Sequence, residues 1–105
     1  MSAPTGSDAA APVSYGSYLA LDELLSLQRP RVKPEHPDEL LFIVVHQASE
    51  LWFKCILHEM DHLIRAMERG EVMYAVLAVQ RINALVQIVS SQLSALETMP
   101  PDAVG

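Results

Sequence analysis

The sequence predicts an all-α fold, because apolar residues recur at helical spacings over most of its length and no stretch shows the strict alternation typical of a strand. The predicted architecture is a short N-terminal helix followed by a long antiparallel helical hairpin. Residues 1–13 are mostly small residues with two prolines, which predicts a disordered tail. Residues 14–105 carry the helical part and are expected to belong to a larger helical fold.

The short helix is predicted over Tyr15 to Leu27, where apolar residues follow one another mostly every third or fourth position. Either Ser14 or Ser17 is expected to cap its N-terminus. The helix should end by the pair Arg29 and Pro30, because a residue before proline is pushed out of helical dihedrals. Residues 30–37, with three prolines, predict a loop.

The second helix is predicted to begin at Pro37, Asp38 and Glu39 and to end at Arg69, with Gly70 as its stop. Its polar residues step by three and four positions and predict one solvent-facing stripe, which comprises Gln47, Glu50, Lys54, His58, Asp61 and Arg65. Glu50 with Lys54, and Asp61 with Arg65, are expected to form ion pairs one turn apart. The first two turns are apolar on all faces, so they should be buried by neighbours on every side.

The third helix is predicted from about Glu71 to Glu97. Its apolar seam, expected to pack against the second helix, comprises Ala75, Val79, Ile82, Val86, Val89, Leu93 and Leu96. Two helices of about thirty residues reach roughly 40 Å each. Such a hairpin and one short helix cannot cover an apolar surface of that size, so further chain, other subunits or both are expected to cover it.

Composition excludes several classes of protein. Seven Lys and Arg against thirteen Asp and Glu give a net charge of −6, which argues against a nucleic-acid or anionic membrane partner. A single cysteine, Cys55, excludes an internal disulfide framework and a multi-cysteine metal site. The longest uninterrupted apolar run, residues 40–45, is too short to span a bilayer, and no secretory signal is recognisable. A soluble, cytoplasmic protein is expected.

One motif suggests zinc chemistry. Residues 58–62 read His-Glu-Met-Asp-His and fit HExxH, in which His58 and His62 would hold zinc and Glu59 would activate water. No histidine follows to supply a third ligand, and His58 belongs to the solvent-facing stripe. A chance match is therefore favoured over a zinc hydrolase, and no metal ligand is assigned.

His46 is the more informative histidine. It falls near the helix line of Phe42, Ser49 and Phe53. From the residues alone, a core histidine satisfied by a hydrogen bond is favoured over a polar group that projects into an apolar ligand pocket. Tyr15 and Tyr18 carry the same two alternatives, helix core or pocket lining.

Two segments carry a resemblance to a known family. Residues 15–25, YGSYLALDELL, and residues 38–54, DELLFIVVHQASELWFK, followed by Leu-His-Glu at 57–59, resemble the N-terminal part of tryptophan 2,3-dioxygenases. The ending Leu-Glu-Thr-Met-Pro at 96–100 is also similar, so the resemblance covers about residues 14–102. The second string is long and highly specific.

The resemblance implies an all-helical, homotetrameric heme enzyme that uses O₂ to open the indole ring of L-tryptophan to N-formylkynurenine, the entry to the kynurenine pathway. By position, His46 is the catalytic histidine of the distal side, which hydrogen-bonds the indole N–H. The residues implied to bind substrate with His46 are Phe42, Ile43, Val44 and Val45, joined by Tyr15, Tyr18 and Leu19 from a neighbouring subunit.

The resemblance also implies what these 105 residues lack. In the family, the proximal histidine that holds the heme iron and the groups that clamp the substrate carboxylate come later in the chain, and Pro37 interrupts the usual His-Asp-Glu run. We therefore expect the 105-residue chain alone to be inactive. The alternative hypothesis is a non-catalytic helical module, derived from the same family, that mediates oligomerisation or docking.

Overall fold

A computed structural model describes residues 12–100 and confirms the all-α prediction, since this range contains helices and no strand. The predicted tail, apart from Pro12 and Val13, and residues 101–105 lie outside the described residues. The elements are α1 (Tyr15–Tyr18), α2 (Leu21–Leu24), α3 (Glu39–Glu68), α4 (Val72–Ser94) and a final 3₁₀ turn (Ala95–Thr98).

The prediction of a single N-terminal helix is wrong, because the chain breaks at Ala20. Ser14 caps α1 as expected, with its Oγ accepting the Ser17 N–H at 3.1 Å. Ala20 then adopts a left-handed conformation with φ of 52°, which costs a residue with a side chain about 1–2 kcal/mol. Its carbonyl accepts the Leu24 N–H at 2.9 Å and starts α2. Two one-turn helices at an angle replace the predicted rod.

The predicted bounds of α3 are confirmed to within about two residues, and its end has a complete stereochemical explanation. Gly70, with φ of 69°, sits just past the last turn. The Gly70 N–H donates to the Met67 carbonyl at 3.1 Å, and the Glu71 N–H donates to the Ala66 carbonyl at 2.9 Å. This pair of bonds is a Schellman motif, which closes a helix through a residue that tolerates positive φ.

The predicted seam of the third helix is right at Ala75, Ile82, Val89 and Leu96, which are buried or half-buried, and wrong at its other three positions. Val79, Val86 and Leu93, expected to pack, are exposed. The buried line of α4 instead follows Ala78, Ile82, Leu85, Val89 and Gln92, among which Ala78, Leu85 and Val89 are fully buried. The small side chain at 78 permits close approach to α3, and Gln92 enters the interface because α3 offers it hydrogen-bond partners.

The predicted ion pairs along α3 do not form within 4 Å in the described residues. Those side chains are exposed, and an exposed pair gains too little to hold two long side chains in one geometry. The ion pairs that form are Arg81 with the buried carboxylate of Glu59 at 3.6 Å, which links α4 to α3, and Arg69 with Glu71 at 3.9 Å at the turn.

Much apolar surface is uncovered. The radius of gyration is 18.6 Å, whereas a compact domain of this length has about 13 Å. Leu40 and Val44, in the turns expected to be enclosed, are about half exposed at 52% and 44%. Both long helices are long and apolar enough to cross a membrane, but the core helix of a soluble protein passes the same test. The expectation that this chain alone cannot cover its helices agrees with these exposures.

Candidate functional site around His46

The extended segment before α3 is fastened along one face of that helix. The buried carboxylate of Glu39 accepts the backbone N–H of Arg31 at 2.6 Å and that of Val32 at 3.0 Å. Two turns further on, Gln47 donates to the Leu27 carbonyl at 3.0 Å. These contacts hold the segment against α3 at Glu39 and at Gln47, whereas the surface of the helix around His46, called the open face, stays exposed.

His46 stands on this open face, and its imidazole is anchored to the preceding turn. Nδ1 lies 2.7 Å from the carbonyl oxygen of Phe42, and the imidazole and phenyl centroids are 4.3 Å apart with planes inclined by 33°. No residue of the range 12–100 hydrogen-bonds Nε2, and the residue is exposed. The structure therefore does not place His46 in the core of this chain, which was the favoured prediction from the residues alone.

The four residues before His46 point in different directions, as successive helical residues must. Phe42 and Ile43 are half-buried, Val44 is exposed, and Val45 is 6% exposed and belongs to the hairpin core. Of the predicted binding residues, Phe42 is the one that the structure brings into contact with His46. Val44 is exposed but lies two residues before His46, about 200° round the helix from it.

The three predicted binding residues of the N-terminal segment are not brought to His46 within the chain. No Cα of α1 or α2 lies within 8 Å of α3 or α4 in the described residues. Tyr15 and Tyr18 are 77% and 52% exposed, and Leu19 is also exposed. These side chains are therefore available to another surface.

A polar network supports α3 one turn beyond His46. Ser49, which is buried, donates to the Val45 carbonyl at 2.7 Å and accepts from the Gln92 amide at 3.5 Å. The indole Nε1 of Trp52 donates to the carbonyl oxygen of the same amide at 3.3 Å. Neither this network nor the contacts of Glu39 could be predicted from the sequence, because a polar residue among apolar ones does not reveal its partner.

The residues of the HExxH motif lie in two different environments. His58 and His62 are exposed, with ring centroids 4.6 Å apart and planes inclined by 50°, while Glu59 is buried against α4 and pairs with Arg81. Within residues 12–100, no three His, Cys, Asp or Glu side chains come together as metal ligands would. The carboxylate that would have to activate water is paired with Arg81 instead.

Two cavities lie at the turn of the hairpin. One, of about 510 Å³, is almost wholly apolar and is bordered by Leu63, Met67, Val72 and Val76; the other, of about 580 Å³, is bordered by Glu59, His62, Arg65, Arg69 and Arg81. Sixteen residues along α3 separate His46 from His62, a distance of roughly 24 Å at 1.5 Å per residue. Neither cavity includes His46 or a residue predicted to bind substrate with it.

The arrangement at His46 has a defined chemical capacity. It combines an aromatic ring with one imidazole nitrogen that no described residue bonds. Such a surface binds one face of an apolar or aromatic group and offers it a single directional hydrogen bond. It has no described partner for a carboxylate, and it lies open until further structure covers it.

Known proteins match the chain over the range that contains these segments. The sequence model of the family described as Tryptophan 2,3-dioxygenase matches residues 2–103. The chain is 53% identical over 91 residues to the tryptophan 2,3-dioxygenase of Anaeromyxobacter sp. (strain K), which covers 87% of this chain and 34% of that protein.

More distant relatives show the same pattern. The tryptophan 2,3-dioxygenases of Kineococcus radiotolerans and Rhodococcus jostii are 46% and 44% identical over 89 residues, which is 85% of this chain and 31% of each relative. The chain thus spans about a third of the length of the curated relatives it matches.

Proposed function

The chain belongs to the tryptophan 2,3-dioxygenase family, and from this membership we propose that it supplies the substrate-side part of a heme enzyme that oxidises L-tryptophan with O₂ to N-formylkynurenine. The observation that carries the proposal is the family match over residues 2–103. The open face of α3 supports it, because a planar aromatic substrate needs an apolar wall and a hydrogen-bond partner for its ring nitrogen.

His46 is the residue to which we assign direct contact with the substrate. Its Nε2 accepts the hydrogen bond of the indole N–H and so fixes the orientation of the ring. Holding the substrate in one orientation is itself a large part of catalysis, because it removes rotational freedom before the reaction. Phe42 lines the indole side with Ile43 beside it, whereas Val44 completes the segment on the other side of the helix.

Val45 supports the proposed site from another side of α3, without contacting the substrate. Its side chain is buried between α3 and α4, so it supports the wall by holding the helix in place and does not reach across the open face. The proposed binding set therefore divides into His46 and Phe42, which contact the substrate with Ile43 beside them, and Val44 and Val45, which lie on other sides of the helix.

Tyr15, Tyr18 and Leu19 close the site from a neighbouring subunit in this proposal. They are exposed and lie away from α3 in their own chain, which is the placement expected of residues that serve another copy. A homotetramer, as the family resemblance implies, supplies such a neighbour and also covers apolar surface of both long helices.

Heme, when bound, activates O₂ and supplies the oxidising chemistry. The residues present fit the substrate side of such a group, because they offer an imidazole beside an aromatic side chain. The proximal histidine and the carboxylate-binding groups are assigned to the part of the family's longer sequences that these residues do not span. The 105-residue polypeptide is therefore proposed to be inactive by itself, and the location proposed for the protein is the cytoplasm.

A chimera tests the proposal. Residues 14–100 would replace the matching segment of the Anaeromyxobacter relative, to which the aligned region is 53% identical. We expect the chimera to bind heme and form N-formylkynurenine, the His46→Ala version to lose at least tenfold in kcat/KM, and the His58→Ala version to keep its activity. A folded, heme-loaded chimera without tryptophan oxidation contradicts the proposal.

A second experiment uses the 105-residue chain by itself. Purified chain, hemin, reductant and L-tryptophan are expected to give no N-formylkynurenine and no saturable change in the heme absorption spectrum on adding tryptophan. Turnover by this chain alone would overturn the assignment of the iron ligand to another part of the protein.

The alternative function is a non-catalytic module that oligomerises or docks through its helices. The observation that favours it is the exposed apolar surface along α3 and α4. A discrete, cooperatively melting oligomer of the 105-residue chain, together with an inactive but folded chimera, would favour this alternative.

A further inference from the structure

We infer that the backbone carbonyl of Phe42 holds His46 in the tautomer protonated on Nδ1, so that Nε2 is fixed as a hydrogen-bond acceptor that faces outward. The tautomer is a property of the described chain and needs no ligand. Its consequence for ligand choice rests on the proposed function.

The contact between the His46 imidazole and the Phe42 carbonyl determines which ring nitrogen carries the proton. Nδ1 lies 2.7 Å from the Phe42 carbonyl oxygen, and a carbonyl can only accept, so the proton between them belongs to the imidazole. Rotating the ring by 180° would place Cδ2 near this oxygen instead, although C–H···O contacts have C···O distances of about 3.3–3.6 Å. A neutral imidazole carries one N–H, which leaves the lone pair on Nε2.

Phe42 holds the ring in a second way. Its phenyl centroid is 4.3 Å from that of the imidazole, with an interplanar angle of 33°. The carbonyl thus selects the protonated nitrogen, while the phenyl ring restricts rotation of the imidazole about its side-chain bonds. Phe42 is a positioning residue for His46 in addition to its proposed place in the pocket wall.

His36 provides an opposite case in the same chain. Its Nδ1 accepts the backbone N–H of Asp38 at 3.1 Å, so in the neutral side chain the proton is on Nε2. A histidine in water also favours Nε2–H when nothing constrains it. The tautomer inferred for His46 is therefore the unusual one, and His36 is an internal reference for the usual one.

The fixed tautomer determines which ligands this face accepts. With a lone pair on Nε2, neutral His46 binds a heteroaromatic ring through a ring N–H and gives no hydrogen bond to a ring whose nitrogen is methylated or is itself an acceptor. If the proton were free to move between the two nitrogens, the imidazole could also donate to a ring nitrogen that is itself an acceptor, and the preference for a ring N–H would be lost. The carbonyl of Phe42 thus contributes to selecting N–H-bearing rings.

Long-range ¹H–¹⁵N correlation spectra of the chain labelled with ¹⁵N-histidine test the inference, at a pH where the imidazoles are neutral. We expect a pyrrole-type Nδ1 and a pyridine-type Nε2 for His46, with the reverse pattern for His36. The variants His46→Asn and His36→Gln assign the two signals by removing one each. Finding the Nε2–H tautomer at His46 would overturn the inference. The averaged pattern of free histidine would also overturn it, whether the chain is folded or disordered.

Two matched variants separate the carbonyl from the phenyl ring. Phe42→Leu keeps the carbonyl and should keep the Nδ1–H pattern, as should Phe53→Leu, which removes another aromatic ring from α3. Loss of the pattern in Phe42→Leu alone would assign the effect to the ring and overturn the role given to the carbonyl. Because these samples contain no heme and no tryptophan, their outcome is independent of whether the chimera oxidises tryptophan.

Discussion

The indole Nε1 of Trp52 donates a hydrogen bond across the hairpin to the side-chain carbonyl of Gln92 at 3.3 Å, and the amide nitrogen of Gln92 donates in turn to Ser49 at 3.5 Å. Apolar contacts between two helices permit several registers, whereas these polar groups find partners in one register. Because Ser49 follows His46 by one turn, the contact also fixes where α4 passes behind the site.

Gln92→Ala is expected to destabilise the hairpin by about 1–2 kcal/mol, because it leaves the Trp52 N–H without its acceptor in a partly buried position. Urea unfolding followed by helical circular dichroism measures the loss. Gln87→Ala, at an exposed position of the same helix, is the control and should stay within about 0.5 kcal/mol of the parent. Equal losses for the two variants would show that the network does not hold the helices together.

How far the sequence predicted this fold depends on the kind of signal. The bounds of α3 were predictable because Pro37, Glu39 and Gly70 are local markers of a helix start and stop. The break at Ala20 was not, because alanine is a strong helix former and nothing in its neighbours marks a left-handed residue.

The packed face of α4 and the site depend on contacts that the pattern cannot encode. Apolar residues surround most of α4, so periodicity left its orientation ambiguous, and Gln92 decided it through partners 40 and 43 residues away. His46 and Phe42 are one turn apart, so their contact could be predicted from spacing. Which imidazole nitrogen lies next to the carbonyl oxygen could be learned only from the three-dimensional structure.

Glu39→Gln should loosen the segment that precedes α3. The carboxylate accepts two backbone N–H groups, and a hydrogen bond to a charged group contributes about 1.5–3 kcal/mol. We therefore expect amide hydrogen exchange at Arg31 and Val32 to accelerate by at least about tenfold. Glu50→Gln, on the exposed stripe of the same helix, should leave both exchange rates unchanged. Unchanged protection in Glu39→Gln would mean that the segment is held by other contacts.

Self-association of the chain is expected through the apolar surface at the hairpin turn, where Met67 and Val76 are 66% and 45% exposed and border the apolar cavity. Exposed apolar surface of this extent drives association. Sedimentation velocity over a range of concentrations should show association of the parent chain and a shift toward monomer in the double variant Met67→Glu with Val76→Glu.

The control variant His58→Glu places one negative charge on the polar stripe of α3, away from the hairpin turn. It should leave the self-association of the chain unchanged. A parent chain that is monomeric at every concentration, or a double variant that associates as strongly as the parent, would contradict the assignment of the surface.

Gly70→Ala tests the end of α3, where the backbone and not the available space sets the cost. A Cβ built on Gly70 meets nothing within 4 Å, yet its φ is 69°, a conformation that costs a residue with a side chain about 1–2 kcal/mol. Gly70→Asn should lose less, because asparagine tolerates this conformation better than alanine. Gly16→Ala is the matched control, since it also meets open space but lies in α1 without a positive φ, and there alanine is neutral or slightly stabilising. Urea unfolding of the three variants gives the order, and a Gly70→Ala as stable as Gly16→Ala would show that the Schellman turn does not constrain the end of the helix.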